Sequence, residues 1–255
     1  MRQFRMGSVV VVGLLVLAAA GCGGKEETGP SRPIETGPAA ASTTTAAAAG
    51  PRPLAPGPLE PGTYETVEFR PKLSFTVGEG WGVLGDAENG IALAPRFDPA
   101  KGPEKQLTFT AVKWVFDDPL LTDKELATNR EAHIRPAPRD LERWLRANRY
   151  LEVGPSQPAR LGGVRGVQFD LRVKDLSGPS NCQQFEPNHC VLLFPITRGA
   201  NVEPIELVEV GGSPSRYTLV EVEGQPVLVT VGAPADQLED FLAEADKVLK
   251  SVTFA

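Results

Sequence analysis

The stretch 23–62 most limits what this chain can fold. It holds eight prolines, at 30, 33, 38, 51, 53, 56, 58 and 61, with Ala39-Ala40-Ala41, Ser42-Thr43-Thr44-Thr45 and Ala46 to Ala49 between them. Few of these residues can enter a core, so the composition predicts coil or extended chain. A folded domain must then come from residues 63–255. Fully extended at about 3.1 Å per residue, such a tether reaches roughly 120 Å; as a coil its ends average about 35 Å apart. The Ser42 to Thr45 cluster suits O-glycosylation as well as a bare linker.

Ahead of that stretch the chain reads as an export signal. Arg2 and Arg5 precede an apolar run from Val9 to Ala20, which leads to Cys22 through Leu17-Ala18-Ala19-Ala20-Gly21. A basic start, a short apolar middle and small residues before a cut site mark a secretory signal peptide. Twelve apolar residues fall short of the about 20 that a membrane-spanning helix needs. A cysteine directly after the small residues resembles the lipobox of bacterial lipoproteins, with Ala19 where leucine is more usual. That resemblance implies cleavage before Cys22, a thioether-linked diacylglycerol on its sulfur and acylation of the new amino terminus. One acyl chain holds a protein marginally, at about 0.8 kcal/mol per buried CH2, whereas two or three hold it durably. The expected organisation is a signal peptide 1–21, a lipidated tether 22–62 and an extracytoplasmic domain 63–255, on the outer face of the cell membrane.

Charge argues against one class of partner. Losing residues 1–21 removes two arginines and no acid, leaving 24 basic and 32 acidic residues and a net charge of −8. Nucleic acid needs Lys/Arg to neutralise its phosphates, and anionic headgroups would repel this domain, so contact with the membrane is expected through lipid alone. With Cys22 lipidated, Cys182 and Cys190 remain. In an oxidising compartment they are expected to form a disulfide. The loop closed is short, and the chain-entropy model gives it about 2.6 kcal/mol. A metal site using Cys182, His189 and Cys190 is the alternative, although zinc sites space their cysteines more closely and want a fourth ligand.

The domain alternates strands with two helices. Tyr64 to Phe69 and Lys72 to Val77 read as strands, the second with Leu73, Phe75 and Val77 on one face. Trp81 to Leu84 and Ile91 to Ala94 flank Glu88-Asn89-Gly90, a hairpin signal. Gln106 to Phe116 reads as one long strand, and a short helix is expected around Thr122 to His133. From Arg139 to Asn148 the period changes: Leu141, Trp144 and Leu145 share a helical face opened by Pro138 and Asp140. Strands resume at Val164 to Val173, Cys190 to Phe194, Ile205 to Val210, Arg216 to Val222 and Val227 to Val231. A second helix, Pro234 to Lys250, carries Leu238, Phe241, Leu242, Ala245, Val248 and Leu249 on one side. The class is α+β: a largely antiparallel β-sheet with two main amphipathic helices packed on it.

Several segments carry a resemblance. They are Trp144-Leu145 with Tyr150-Leu151-Glu152-Val153, Leu161-Gly162-Gly163-Val164-Arg165-Gly166 before a strand, the paired cysteines, and Val248 to Phe254. Together they resemble a group of exported lipoproteins of high-GC Gram-positive (actinobacterial) type, mostly without assigned function. More loosely, the architecture is similar to the PsbP/Mog1-like sandwich, including LpqN-type lipoproteins. The likeness implies an antiparallel sheet covered by helices, in proteins that mostly bind partners rather than catalyse.

Catalytic signatures are sparse. Only His133 and His189 could serve as histidine bases, and Gly211-Gly212-Ser213-Pro214-Ser215 lacks the final glycine of a nucleophile elbow. Asp117-Asp118 and Glu203, Glu206, Glu209 could bind Ca²⁺ or act as paired acid and base, yet a solvated strand face is the ordinary role of such residues. Gly162-Gly163 with Gly166 precedes a strand, so it reads as a turn and not a dinucleotide loop. Trp114 and Trp144 read as core; Trp81, after a glycine turn, is the one tryptophan placed as a possible ligand contact. The expectation is a non-enzymatic domain, without cofactor or metal, that binds another envelope component or protein. The alternatives are a carrier of a small molecule or lipid between sheet and helices, and a weak hydrolase using the carboxylates, with Asp117 the position to test.

Overall fold

Valine at alternate positions favours strands, and strands dominate the computed structural model of this protein. It describes residues 50–98, 104–115, 132–133, 138–174, 190–196, 205–210 and 214–255. In chain order the strands are β1 Arg52–Pro53, β2 Gly57–Pro58, β3 Gly62–Glu65, β4 Leu73–Val77, β5 Trp81–Ala87, β6 Gly90–Pro95, β7 Gln106–Ala111, β8 Trp114–Val115 and β9 Ala132–His133. Helix α1, Pro138–Ala147, leads to β10 Leu151–Val153, β11 Gln157–Leu161, β12 Val164–Val173, β13 Cys190–Ile196, β14 Ile205–Val210, β15 Ser215–Val222 and β16 Gln225–Gly232. Helix α2, Leu238–Ser251, and β17, Thr253–Phe254, follow.

The central sheet has nine strands, ordered β10-β12-β15-β16-β7-β6-β5-β2, with β11 also paired to β12. A smaller sheet runs β1-β3-β4-β17, and β13-β14 and β8-β9 form two-stranded ribbons. The β1–β3 pair is parallel; the other pairs are antiparallel. The class is α+β, as the pattern of elements indicated.

The central sheet is covered on both faces, so its inner strands are apolar at consecutive positions. In β16, Val227, Val229 and Val231 enter one core cluster while Leu228 enters another. The first cluster joins Val229, Phe109 and Leu93 to Phe75 and Leu73 of the small sheet and to Phe241, Ala245 and Val248 of α2. The second joins Phe169, Tyr217 and Leu219 to Leu141 and Leu145 of α1 and to Val191 and Phe194 of β13. Of the helical positions read from spacing, Leu141, Leu145, Leu238, Phe241, Ala245 and Val248 are buried, and Trp144, Leu242 and Leu249 pack half-buried beside them. The Trp144 ring packs 5.9 Å from that of Phe194.

Four expectations are corrected. The fold begins before residue 63: Arg52 and Pro53 pair with Tyr64 and Glu65, and Leu54 and Leu59 are buried. Proline suits such places, since two-residue edge pairings need few donors. Trp81 is no surface contact. Gly80 turns with φ +79°, β5 starts at once, and the indole lies 3% exposed with its ring 6.2 Å from that of Phe241. The strand expected at 106–116 ends at Ala111 and restarts at Trp114; Val112 donates its N–H to Pro226, and its carbonyl accepts from Gln225 Nε2. The helix expected at 122–133 lies mostly outside the described residues, but Ala132 and His133 are a strand opposite Val115 and Trp114.

Candidate functional site

The residues singled out by sequence do not converge. Cys22, Cys182, His189, Asp117, Asp118 and Glu203 lie outside the described residues. Cys190 opens β13 opposite Val210, Glu209 stands opposite Val191, and Glu206 opposite Pro195. Among the described residues, no group of three or more His, Cys, Asp or Glu is placed to hold a metal ion.

A basic hollow of about 400 Å³ is lined by Arg70, Lys72, Lys113, Glu223 and Gln225. Its cations are engaged. Arg70 Nη1 donates to the carbonyls of Val67, Glu68 and Phe69, Lys72 pairs with Glu65 at 3.2 Å, and Lys113 with Glu88 at 2.6 Å. The hydrogen bond from Lys113, then its charge, holds the Glu88 carboxyl below its usual range. Asp86 completes the local frame: its carboxylate accepts from the N–H groups of Val67, Glu68 and Phe69 at 2.9, 3.2 and 3.1 Å. These interactions fix the connection between β3 and β4 and leave the hollow little unneutralised charge for an anion.

The other face of the central sheet is more unusual. Directly opposed residues share a face, so the register defines two rows. One runs from Phe169 and Tyr217 through Thr230 and Thr108 to Ala92 and Gly85. The next runs from Val167, Leu219 and Leu228 through Thr110 to Gly90 and Ala87. Each row steps from bulky to small side chains, and threonines stand at the step. Thr108, Thr110 and Thr230 are 6%, 0% and 5% exposed, and none of their hydroxyls has a hydrogen-bond partner. A buried hydroxyl left unpaired costs about 1–3 kcal/mol, so three together on one face are a marked departure. A separate cavity of about 250 Å³ at the end of β6 is lined by Ala94 and Phe97, by the charged Arg96, Asp98, Glu104 and Lys105, and by Gln237 and Glu244 at α2.

Sequence reasoning missed these threonines. It read Gln106 to Phe116 as one strand and gave Thr108 and Thr110 no role. The available signal was the Thr-x-Thr of β7 lying in the same sheet as Thr230 inside an otherwise apolar β16. Only the register puts the three side by side.

No protein-family model matches this sequence, and no curated protein matches it. Solved structures do. Among them is cyanobacterial PsbP (CyanoP) from Synechocystis sp. PCC 6803, at 10% identity and a TM-score of 0.36, over 81% of this chain and 100% of that one. Another is LpqN of Mycobacterium tuberculosis, a protein involved in cell envelope biogenesis, at 10% identity and a TM-score of 0.34, over 76% and 85%. A third is a protein of Bacteroides thetaiotaomicron VPI-5482, at 8% identity and a TM-score of 0.33, over 72% of this chain. The chain spans only 45% of that last protein. All three likenesses are loose, at no more than 10% identity and a TM-score of 0.36.

Proposed function

We propose that this protein is a lipid-anchored, extracytoplasmic binding domain of the cell envelope, without enzymatic activity. The observation that carries the reading is the run from Arg2 through Val9–Ala20 to Cys22, followed by the proline-rich stretch. Lipidation at Cys22 fixes one end to the bilayer, and the stretch beyond it gives the domain reach. The net charge of −8 on the mature chain supports a partner that is neither nucleic acid nor an anionic membrane surface. Cys182 and Cys190 form a disulfide in this reading, as an oxidising compartment favours.

Changing Cys22→Ser tests the anchor. In a bacterial host the wild-type chain is expected in the membrane fraction, labelled by palmitate, and the variant in the soluble exported fraction, unlabelled. A variant that stays with membranes overturns the reading. Alkylation of the exported variant with and without reductant, read by mass, is expected to show both remaining thiols blocked until reduced.

The unpaired threonine hydroxyls favour a second reading within the same class, a domain that carries a small molecule.

A further inference from the structure

We propose that the cavity between the end of β6 and helix α2 binds a short peptide with free termini and an apolar side chain. The inference rests on the binding-domain reading and gives it a place and a ligand.

Size comes first. The cavity holds about 250 Å³, a little less than the about 300–1,000 Å³ that drug-sized ligands occupy. Gln237, at the head of α2, and Glu244 both line it. Residues seven apart lie on one helical face, so the cavity follows the helix for about 10 Å. An extended chain advances about 3.3–3.6 Å per residue, so about three residues fill that length.

The apolar side of the cavity is built with care. Leu84, Ala94 and Phe97 line it, and Phe97 is held in place by two backbone exceptions. Arg96 takes φ +51°, a value uncommon for a residue with a Cβ, and the Phe97 N–H closes the turn on the Gly80 carbonyl at 3.2 Å. The Phe97 ring then lies against Gly82, where an added Cβ would collide with it. The ring is nonetheless only half-buried. Backbone exceptions of this kind cluster at ligand clamps, and a half-open ring on a cavity wall is a seat for an apolar side chain.

The charged side is balanced. Arg96 and Lys105 bring two positive charges to the cavity, and Glu104 and Glu244 two negative ones. Among the described residues none of these four makes an ion pair, whereas Arg172 pairs with Glu152 and Arg216 with Asp170. Lys105 and Glu244 are also half-buried, and Lys105 Nζ stands 6.0 Å from the centre of the Phe241 ring. A ligand ion of one sign would meet charges of its own sign here. A molecule that carries both an ammonium and a carboxylate meets a counter-charge for each. Gln237 supplies the complement of a peptide bond, since its amide both donates and accepts, and it is not spent on a side-chain cap of α2. Arg96 and Lys105 thus take the carboxylate, Glu104 and Glu244 the ammonium, Gln237 a backbone amide and Phe97 the side chain between.

The test uses the full-length chain in detergent micelles, read by titration calorimetry at about pH 6.5, where a free amino terminus is charged. The probe is the tripeptide Ala-Leu-Ala, with its N-acetylated and C-amidated forms, each lacking one charge. Ala-Leu-Ala is expected to bind at a single site, and each blocked form at least about tenfold more weakly. Lys105→Gln is expected to weaken the free peptide about tenfold and to leave the C-amidated form unchanged. Glu244→Gln is expected to weaken the free peptide to the same degree and to leave the N-acetylated form unchanged. The form that a variant still binds normally shows that the variant is folded. Three results would overturn the proposal: no saturable heat with Ala-Leu-Ala, a blocked form bound as tightly as the free one, or variants that leave all forms unchanged or weaken all of them alike. The anchor is read separately, since membrane release of Cys22→Ser stands or falls whatever the peptides do.

Discussion

Glu142 ties a helix to a strand connection through one oxygen. Its Oε1 accepts from Ser156 Oγ at 2.5 Å and from Arg146 Nε at 2.8 Å, while Arg146 also reaches the carbonyl of Gly154 at 2.8 Å. Burial pushes the Glu142 carboxyl up, but the Ser156 hydroxyl and the Arg146 guanidinium outweigh it and hold it below its usual range. A carboxyl lowered in the folded state stabilises above its unfolded pKa, about 4.3, and loses that contribution as pH falls through the folded value. Glu142→Gln is therefore expected to unfold at lower urea than wild type at pH 7, with the gap closing below about pH 4. A gap independent of pH would refute this account. Glycines also divide by role at this scale. Gly162 and Gly163 turn with φ +56° and +82°, whereas Gly166 lies inside β12, where an added Cβ would meet the Leu219 carbonyl oxygen at 2.0 Å. The sequence motif Gly-Gly-x-x-Gly reads as one turn because spacing alone does not separate a bend from a close approach.

The elements that were legible are those long enough to show a period. Val164–Val173 and Ile205–Val210 have the bounds that alternation indicates, and α1 differs by one residue at each end from its expected span. Helix α2 starts later than expected, at Leu238, because Pro234 to Gln237 form a turn closed by the Gln237 N–H on the Pro234 carbonyl. Strands of two or three residues, such as β1, β2, β10 and β17, are too short to carry a pattern, and the break in the 106–116 strand depends on Gln225 and Pro226, far along the chain. The β15–β16 hairpin was legible as a turn but not in its detail. Both of its central residues, Glu223 and Gly224, have positive φ, at 52° and 78°, the signature of a type I′ turn. A non-glycine residue there costs about 1–2 kcal/mol, less for asparagine. Glu223→Asn is expected to stabilise the protein by about 0.5–1 kcal/mol, seen as a higher urea midpoint with an unchanged slope; a lower midpoint would contradict the assigned turn.

At the scale of the molecule, the domain is larger than composition indicated. Proline content assigned residues 50–62 to the tether, yet Leu54 and Leu59 sit in the first core cluster and Arg52 stacks over the Tyr64 ring at 4.5 Å. A chain shortened to begin at Gly62 is expected to lose about 3–6 kcal/mol, from two buried leucines at about 1.5–3 kcal/mol each. Equal urea midpoints for the two lengths would show that this segment adds nothing. The anchor expected at Cys22 rests on contiguous residues alone. The threonine face was not legible, because its members come from strands more than a hundred residues apart and become neighbours only across β7 and β16.

One consequence follows from where the first core cluster gets its outer wall. Phe241, Ala245 and Val248 belong to α2, and β17 closes the edge of the small sheet beside β4. Both come from one short segment, residues 238–254. A chain in which that segment has not docked has one side of its central sheet bare. The two layers are thus closed by a single late-docking strap, and detaching it is expected to open the first core without separating the strands of the central sheet.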